Sequence, residues 1–345
     1  MQTHLTHLED MVVTGGKAGF DDAITYLIRV AETFRHPNVP LCDIQLKFDG
    51  SPSVFFGKYS YQDKPFVATK SLFAKTPKLF QSDDELDNHF DPESKHETTL
   101  KIKLSTLLKY VQESNWPDDE FGLVFNADML FCKLEGFAPT SFKPNTIEYR
   151  YNPKSIIGKQ IAEAVIGLHI HSYHGDSGNV RYKNKFRHGF FKEVFITPSV
   201  SVPHFTTFDS FKQEKFFHHL TRAIMFWRNI HDVPLTTDNS AAIKKYINHC
   251  IREKLPISTY VEKYKHIFDY ADINILFSCL LELIEAKTIL LSSINYDLFG
   301  FETTFDGKPC PHEGIVVIID DKPIKFVDRT VFSYNNFLTQ QRAKK

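Results

Sequence analysis

The chain has 345 residues, of which 42% are apolar and 24% are charged, close to the globular average, so intrinsic disorder is not expected. Lysine plus arginine (41) nearly balances aspartate plus glutamate (42), which excludes a global positive field for nucleic acid but leaves room for a local basic groove. The five scattered cysteines form no CxxC pair, which argues against a disulfide framework and a structural zinc site.

The N-terminal sequence MQTHLTHLEDMVV lacks the basic segment and the long apolar run of a signal peptide. No window of the sequence reaches the roughly 18 apolar residues of a membrane-spanning helix. We therefore expect a soluble protein of a reducing cytoplasm, without a membrane partner.

The first predicted element is an amphipathic helix at residues 19–34, because apolar side chains recur there at helical spacing and Asp21 and Asp22 lie near its N-terminus. Residues 43–70 predict several short strands, with YSYQDKP as the loop of a hairpin between SVFFG and FVATK. The next patterns predict a helix, a strand, a helix and a strand at about residues 98–114, 121–131, 154–165 and 166–175.

Helical patterns dominate from about residue 208 to 295, with few strand signals among them. They are FKQEKFFHHLTRAIMFWRNI, SAAIKKYINHCIREKL, ISTYVEKYKHIFDYA and INILFSCLLELIEAKTILLSSI. Strand patterns return at EGIVVIID and KPIKFVD, within residues 313–328. We therefore predict an α+β fold in which a helical subdomain, residues 208–297, interrupts a β-rich core formed by residues 1–207 and 298–345.

The stretch IQLKFDGSPSVFFG, residues 44–57, predicts a strand, a tight turn and a second strand. Alternation places Lys47 and Asp49 on one face and their apolar neighbours on the other. A lysine is a good nucleophile only when deprotonated, a state that desolvation or a neighbouring cation favours. Taken alone, the pattern K-x-D-G is more typical of a solvated strand lysine before an Asp-Gly turn.

Other candidate residues lie on predicted strands. Glu313 precedes the hydrophobic strand GIVVIID, and Lys325 lies on the face of its strand opposite Ile324 and Phe326. Asp128 stands amid apolar neighbours in FNADMLF, and Lys70 ends the strand that follows the hairpin loop. Each is ordinary alone, since a Glu-Gly step is usually a turn and a strand lysine is usually solvated.

The order and character of these residues resemble the covalent nucleotidyltransferase superfamily, which comprises ATP-dependent DNA ligases, RNA ligases and mRNA capping enzymes. Lys47-Phe48-Asp49-Gly50 resembles motif I, and Glu313-Gly314-Ile315-Val316 resembles motif IV. The other positions similar to the family's motifs Ia, III, IIIa and V are, in that order, Lys70, Asp128, Tyr173 and Lys325. The predicted hairpin KFDGSPSVFFG, taken with KPNTIEY at 143–149, is also similar to phage-encoded RNA-ligase-like proteins.

The resemblance implies an ATP-grasp-like core of antiparallel sheets with helices, and a covalent mechanism. Lys47 would accept AMP from ATP, Lys325 would neutralise the α-phosphate and favour the deprotonated Lys47 amine, and Glu313 would hold Mg²⁺. Asp128 would accept a hydrogen bond from a ribose hydroxyl. The remaining nucleotide contacts would come from Lys70 on ribose or phosphate, Tyr173 stacked on adenine, and the Asp49-Gly50 turn.

The sequence departs from the family pattern at several positions. Asp128 stands for a glutamate and Lys70 for an arginine, and Lys322 and Lys325 are too far apart to share a strand face as two motif V lysines do. About 20 residues follow Lys325, too few for the OB domain of DNA ligases and capping enzymes, which favours RNA-ligase-like proteins. The departures also leave open a nucleotide-binding relative without ligase activity.

Two further groups of residues, three histidines and a set of cations, are weaker candidates for a site. His169, His171 and His174 are candidate metal ligands, although exposed imidazoles are more often solvated. A set of cations is a candidate phosphate-tracking groove, although a solvated face is the commoner reading. This set contains Lys143, Arg150, Lys154, Arg181, Lys183, Lys185 and Arg187.

The first hypothesis is an ATP- and Mg²⁺-dependent ligase that forms lysyl-AMP on Lys47 and activates a 5′-phosphate for joining, with RNA preferred over DNA. If the protein is phage-encoded, it would act in the host cytoplasm. The alternatives are a non-catalytic nucleotide- or nucleic-acid-binding phage protein with the same fold, and an adenylyltransferase that acts on a protein or small molecule.

Overall fold

The computed structural model describes residues 5–114, 122–135, 140–175, 180–181, 193–197, 202–231, 235, 237–268 and 272–343. Within these ranges the α-helices are α1 (Leu8–Arg35), α2 (Asp83–His89), α3 (Lys95–Gln112), α4 (Ile156–Glu163), α5 (Ser210–Arg228), α6 (Thr237–Glu253), α7 (Ile273–Ser292) and α8 (Phe332–Ala343). The strands are β1 (Thr6–His7), β2 (Asp43–Lys47), β3 (Ser53–Lys58), β4 (Phe66–Ala68), β5 (Leu123–Cys132), β6 (Ser141–Phe142), β7 (Glu148–Arg150), β8 (Ile166–His174), β9 (Val180–Arg181), β10 (Val194–Ile196), β11 (Glu302–Phe305), β12 (Lys308–Pro309), β13 (Gly314–Ile319) and β14 (Lys322–Val327).

Most predicted helices are present, α2 and α8 were not predicted, and one predicted helix is absent. The helix predicted at 19–34 is part of α1, which is longer and has non-helical dihedral angles at Gly16. The pattern ISTYVEKYKHIFDYA was wrong as a helix in its described part, where the structure has only a 3₁₀ turn at Glu262–Tyr264. The physical reason is tertiary: the single Tyr246 hydroxyl hydrogen is shared between the backbone carbonyls of Ile257 and Thr259, and the Thr259 N–H donates to the Pro256 carbonyl in a turn.

The chain forms two compact units. The two-sheet unit comprises Phe48–Val200 and Tyr296–His312, and the helix-rich unit comprises His4–Lys47, Ser201–Asn295 and Glu313–Lys345. The helices α5, α6 and α7 belong to the same unit as β2, β13 and β14.

The helix-rich unit contains a sheet in the order β1-β14-β13-β2. β13 is antiparallel to both of its neighbours, whereas β1 is parallel to β14. Every residue of β13 is buried, as expected for the central strand of a covered sheet. The helices α1 and α7 both contact β14, and α5 packs along α7.

The two-sheet unit contains a sheet in the order β10-β8-β5-β3-β4, with β9 on β8, and a smaller sheet in the order β12-β11-β7-β6. One face of the larger sheet packs against α3, with Val54, Phe125 and Leu168 meeting Leu107 and Leu108 in a single core. Its opposite face therefore carries the side chains that alternate with these apolar residues.

The predicted strand-turn-strand at residues 44–57 requires a correction. Both strands exist, but β2 pairs with β13 whereas β3 pairs with β4 and β5, so the two do not form a hairpin. The hairpin predicted around YSYQDKP does form, between β3 and β4. The fold is α+β as predicted, and its two larger sheets each contain one parallel pair of strands. No helix in the described part of the chain is long and apolar enough to cross a membrane.

Candidate active site

Lys47 and Glu313 form an ion pair in the helix-rich unit. Lys47 ends β2, and its backbone register partner on β13 is Gly314, so Glu313 precedes that strand directly beside it. The Lys47 Nζ donates to Glu313 Oε2 at 2.8 Å. The two side chains are only 16% and 12% exposed. Lys47 is therefore not a freely solvated strand lysine.

Gly314, the residue after Glu313, lies very close to the backbone of β14. Its φ is 140°, a value that side chains rarely adopt, and a Cβ at this position would lie 2.1 Å from the carbonyl oxygen of Phe326. The backbone of β14 thus approaches too closely for any other residue. The Glu-Gly step is consequently both the start of a central strand and the element that carries Glu313 to Lys47.

Lys325 lies on the same sheet face as Lys47. Val316 of β13 pairs with Lys325 on one side and with Gln45 on the other, and Gln45 and Lys47 are two residues apart on β2. Burial and the Lys47 ammonium lower the pKa of Lys325, and the Glu313 carboxylate partly opposes this shift. The face therefore presents two amines and one carboxylate, while Lys322 lies on the opposite face, as its spacing predicts.

Asp49 belongs to the two-sheet unit, where it is buried and fixes a loop. Its carboxylate accepts hydrogen bonds from the Thr146 backbone N at 2.7 Å, the Thr146 Oγ1 at 2.5 Å, the Ile147 N at 3.1 Å and the Asn145 Nδ2 at 2.9 Å. The sequence allows Asp49 either to orient Lys47 or to shape the turn, and this geometry supports shaping the turn.

The structure brings Gly50 and Asp128 together in the same unit. A Cβ on Gly50 would lie 2.5 Å from the Asp128 Cβ, and the next residue, Ser51, donates its N–H to the Met129 carbonyl at 3.0 Å. Glycine is thus required where the turn crosses β5. Asp128 also pairs with His171, with 2.9 Å between Oδ2 and Nε2. A ribose hydroxyl at Asp128 would share the carboxylate with this imidazole.

Tyr173 does not fit its predicted stacking role. The register of β5 against β8 shifts and leaves His171 as an extra residue, a β-bulge that reverses the alternation beyond it. Tyr173 therefore pairs with Phe125 in the core against α3, is 8% exposed, and lies on the sheet face opposite Asp128. Without the bulge, alternation from His169 would place Tyr173 on the same face as His169.

The three histidines have separate partners. His169 Nδ1 lies 2.8 Å from Thr197 Oγ1, His171 pairs with Asp128, and His174 Nε2 lies 3.3 Å from the Tyr59 hydroxyl. Within the described ranges, no group of three or more His, Cys, Asp or Glu residues is arranged to hold a metal ion. A histidine metal cluster thus has no support from the geometry.

Lys70 is exposed and begins the 3₁₀ turn that follows β4, the edge strand of the larger sheet. The structure does not bring it next to Asp128 in the sheet, since β3 separates β4 from β5. Among the cations of the proposed groove, Lys143, Arg150 and Lys154 are exposed and Arg181 lies in β9. The others, Lys183, Lys185 and Arg187, lie outside the described residues.

Sequence reasoning missed a buried charge network in the helix-rich unit. Lys287, 1% exposed, donates to Glu9 Oε2 at 2.8 Å. Arg329 donates from Nη1 to Glu9 Oε1 at 3.3 Å and Asp10 Oδ1 at 3.2 Å, and from Nη2 to Asn248 Oδ1 at 2.6 Å. The available signal was Lys287 itself, a lysine within the apolar run of α7, because a buried cation requires an anion.

The pKa values of these carboxyls follow from burial and from their neighbours. Burial would raise the pKa of Glu9, but Lys287 and Arg329 outweigh it and hold the pKa far below its usual range. Burial raises the pKa of Asp10, with Arg329 opposing the shift. Glu9 is therefore the permanently charged centre of the network.

Neither the curated proteins nor the solved structures contain a match to this chain. One family model does match, over residues 2–276 and 270–341, which is nearly the whole sequence. It includes Lys47, Asp128, Glu313 and Lys325 within the matched ranges. The chain belongs to the family described as Family of unknown function (DUF6267).

Proposed function

We propose that this protein is an ATP-dependent nucleotidyltransferase that forms lysyl-AMP on Lys47 and passes the AMP to a 5′-phosphate end, RNA in preference to DNA. The observation that supports this most is the Lys47–Glu313 ion pair, with Lys325 on the same sheet face. An amine, a carboxylate and a second cation are the groups that attack on an α-phosphate needs.

In the first step, the Lys47 nitrogen attacks the α-phosphorus of ATP. A nitrogen–phosphorus bond forms, the bond from the α-phosphorus to the bridging oxygen breaks, and pyrophosphate leaves with that electron pair. The Lys47 ammonium loses one proton before attack and a second after the nitrogen–phosphorus bond forms; the Glu313 carboxylate, 2.8 Å from Nζ, would take the first, and the second would pass to water. Lys325 is positioned on this face to stabilise the charge on the transferred phosphoryl group.

Glu313 could hold Mg²⁺ only together with the phosphates of a bound nucleotide, because it is a single carboxylate. Mg²⁺ is commonly held by one or two carboxylates together with substrate phosphates and water. One partly shielded carboxylate suits that arrangement, whereas the described residues offer no cage of three ligands. When bound, the ion would neutralise phosphate charge, and Glu313 would then contribute less negative charge to Lys47.

The remaining roles come from the resemblance and form part of the proposal. The core is proposed to be ATP-grasp-like, and Gly50, Lys70 and Asp128 are proposed nucleotide contacts. Tyr173 is not included, because its ring is buried against α3. In the second step, a 5′-phosphate oxygen would attack lysyl-AMP, breaking the nitrogen–phosphorus bond. A 3′-hydroxyl would then displace AMP and join the ends.

The test is incubation of the purified protein, freed of bound nucleotide, with α-phosphate-labelled ATP or GTP and Mg²⁺, followed by denaturing electrophoresis. The proposal predicts a labelled band from ATP that Lys47→Ala abolishes and that Glu313→Gln and Lys325→Ala weaken strongly. Lys322→Ala is the matched control, since Lys322 lies on the same strand as Lys325 but on the opposite face. No band from folded wild-type protein with either nucleotide would overturn the proposal.

The acceptor is tested by a chase. The labelled protein is mixed with 5′-phosphorylated RNA or DNA of the same sequence, with the 5′-hydroxyl strands as controls. We expect label to move to the 5′-phosphorylated RNA faster than to the DNA. Label that stays on the protein with every strand would leave the covalent step standing and refute the polynucleotide acceptor.

A further inference from the structure

Arg329 is a buried arginine whose two terminal nitrogens both have partners, whereas its buried Nε has none among the described residues. It is 7% exposed and donates to Glu9, Asp10 and Asn248. Glu9 and Lys287 beside it are at most 1% exposed. Burial of charges is costly even when they are paired, and an apolar group would serve packing alone at least as well. Packing alone therefore does not account for this buried guanidinium.

Arg329 connects the end of β14, the strand that carries Lys325, to the start of α1. β1 and β14 run parallel, with His7 opposite Lys325 in register. Two residues beyond His7 lies Glu9, and four residues beyond Lys325 lies Arg329. The two segments are thus connected twice, first by strand pairing at Lys325 and then by the Arg329 guanidinium to Glu9 and Asp10.

The strand pairing alone gives weak control over Lys325. β1 has only two residues and lies at the edge of its sheet, where fraying is easiest. Just beyond the β1–β14 pairing, the ion pairs of Arg329 with Glu9 and Asp10 connect the residues that follow the two strands. They therefore restrict the path of β14 near Lys325. The charges also act at a distance, since Arg329 and Asp10 shift the pKa of Lys325 in opposite directions.

We propose that Arg329 is a positioning residue, which through Glu9 and Asp10 fixes the end of β14 and so holds the Lys325 amine on the sheet face of Lys47. The catalytic meaning of this position rests on the proposed function. The positioning itself does not rest on that function, because it concerns only where the Lys47 and Lys325 amines lie in the folded protein.

The main test variant is Arg329→Met, which removes the guanidinium but keeps an apolar side chain of similar length. It leaves Glu9 paired with Lys287 at 2.8 Å and Asp10 near Lys244 at 4.0 Å, so no carboxylate is stranded without a cation. Arg329→Lys keeps the charge but not the fork that reaches two carboxylates and an amide. The matched control is Arg29→Met, which removes a partly exposed arginine of the same unit, 3.9 Å from Asp320.

The first readout is independent of nucleotide. Wild type and variants are treated briefly with an amine-acylating reagent, and the modification of Lys47 and Lys325 is measured by peptide mass spectrometry, with exposed Lys215 as internal reference. We expect modification of Lys325 relative to Lys215 to rise about threefold or more in Arg329→Met, to rise less in Arg329→Lys, and to stay unchanged in Arg29→Met.

The second readout is the adduct assay as a function of ATP concentration. We expect the rate constant of adduct formation to fall about tenfold or more in Arg329→Met, since a small misplacement of a catalytic group is costly, while the half-saturating ATP concentration changes little. Arg329→Lys should recover part of the rate. If Arg329→Met does not fold, Asp10→Asn and Arg329→Lys are compared in its place, and intermediate effects are expected.

The outcomes separate the two claims. If wild-type protein forms no adduct, the proposed function fails, and the acylation pattern alone decides the positioning. If Arg329→Met melts at a lower temperature but Lys325 modification and the adduct rate per folded molecule match the wild type, Arg329 is merely structural and the inference is overturned.

Discussion

Lys47 and Glu313 are 266 residues apart in the sequence and 2.8 Å apart in the structure. The pairing of β2 with β13 brings them together, since Lys47 is opposite Gly314, the residue after Glu313. Both side chains are largely shielded from water, a setting in which an ion pair is stronger than at the surface but each ion is costly to leave alone.

The shielding predicts measurable coupling between the two side chains. In a double-mutant cycle with Lys47→Met and Glu313→Gln, we expect a coupling free energy of unfolding of about 1–2 kcal/mol. Urea unfolding of the wild type, both single variants and the double variant gives this value. Additive effects of the two substitutions would show that the pair contributes nothing to the fold.

Asp49 is predicted to be a stability residue. Asp49→Asn replaces a carboxylate that accepts four hydrogen bonds by an amide whose NH₂ faces donors, so we expect a loss of about 2–4 kcal/mol in the free energy of unfolding. The matched control is Asp91→Asn, an exposed aspartate that accepts from the Glu93 N–H at 2.9 Å. Equal, small losses for both variants in urea unfolding would refute this role.

Tyr173 is predicted to affect packing and not nucleotide affinity. Its ring lies in the core with Phe125 and is 8% exposed, so Tyr173→Ala should lower the free energy of unfolding by about 3–5 kcal/mol. Tyr173→Phe keeps the ring and should leave ATP affinity, measured by equilibrium dialysis, within about twofold of wild type, because a phenyl ring packs in the core and stacks on adenine equally well. Tyr173→Leu distinguishes a core residue from a stacking residue. We expect its ATP affinity to be unchanged, and a severalfold loss would restore the stacking role.

His312 is predicted to make the two-sheet unit acid-sensitive. Burial lowers its pKa to about 4 from 6.5, against the opposing effect of the hydrogen bond from Nε2 to the Phe301 carbonyl. Between these values the unfolded chain binds more protons than the native protein, so stability is complete above about pH 6.5 and falls as the pH drops towards 4.

The size of this effect follows from the shift. At pH 4 the His312 contribution should lower the free energy of unfolding by about 3 kcal/mol relative to pH 7. His312→Phe keeps an aromatic ring against Tyr296, stacked at 4.9 Å in the wild type, and removes the titration. The difference in unfolding free energy between the two proteins should change by that amount between pH 7 and 4. A constant difference would mean that His312 titrates equally in both states.

Local patterns predicted much of the fold and of the candidate site. Alternation in KPIKFVD placed Lys325 opposite Ile324 and Phe326, and the antiparallel pair β13–β14 follows from two adjacent strand patterns. The helix patterns at 19–34 and 98–114 correspond to α1 and α3. Such features depend on residues within one turn or one strand, which sequence periodicity reports directly.

Other features depend on distant partners that periodicity does not report. The pairing of β2 with β13 joins residues at opposite ends of the chain, so the local hairpin pattern at 44–57 was misleading. The bulge at His171 moves Tyr173 to the other face of the sheet, and no residue type in the sequence marks it. The partners of Lys287 and Arg329 lie at the start of α1, and only the fold brings them together.

The measurement that most directly tests the account is localisation of the adduct. The protein is incubated with ATP and Mg²⁺, digested under conditions that preserve the nitrogen–phosphorus bond, and mapped by tandem mass spectrometry. We predict that one AMP is attached to Lys47, and that the same treatment of Lys47→Arg leaves the protein unmodified. An adduct on another residue, or none on folded protein, would contradict the assignment of Lys47 as the nucleophile.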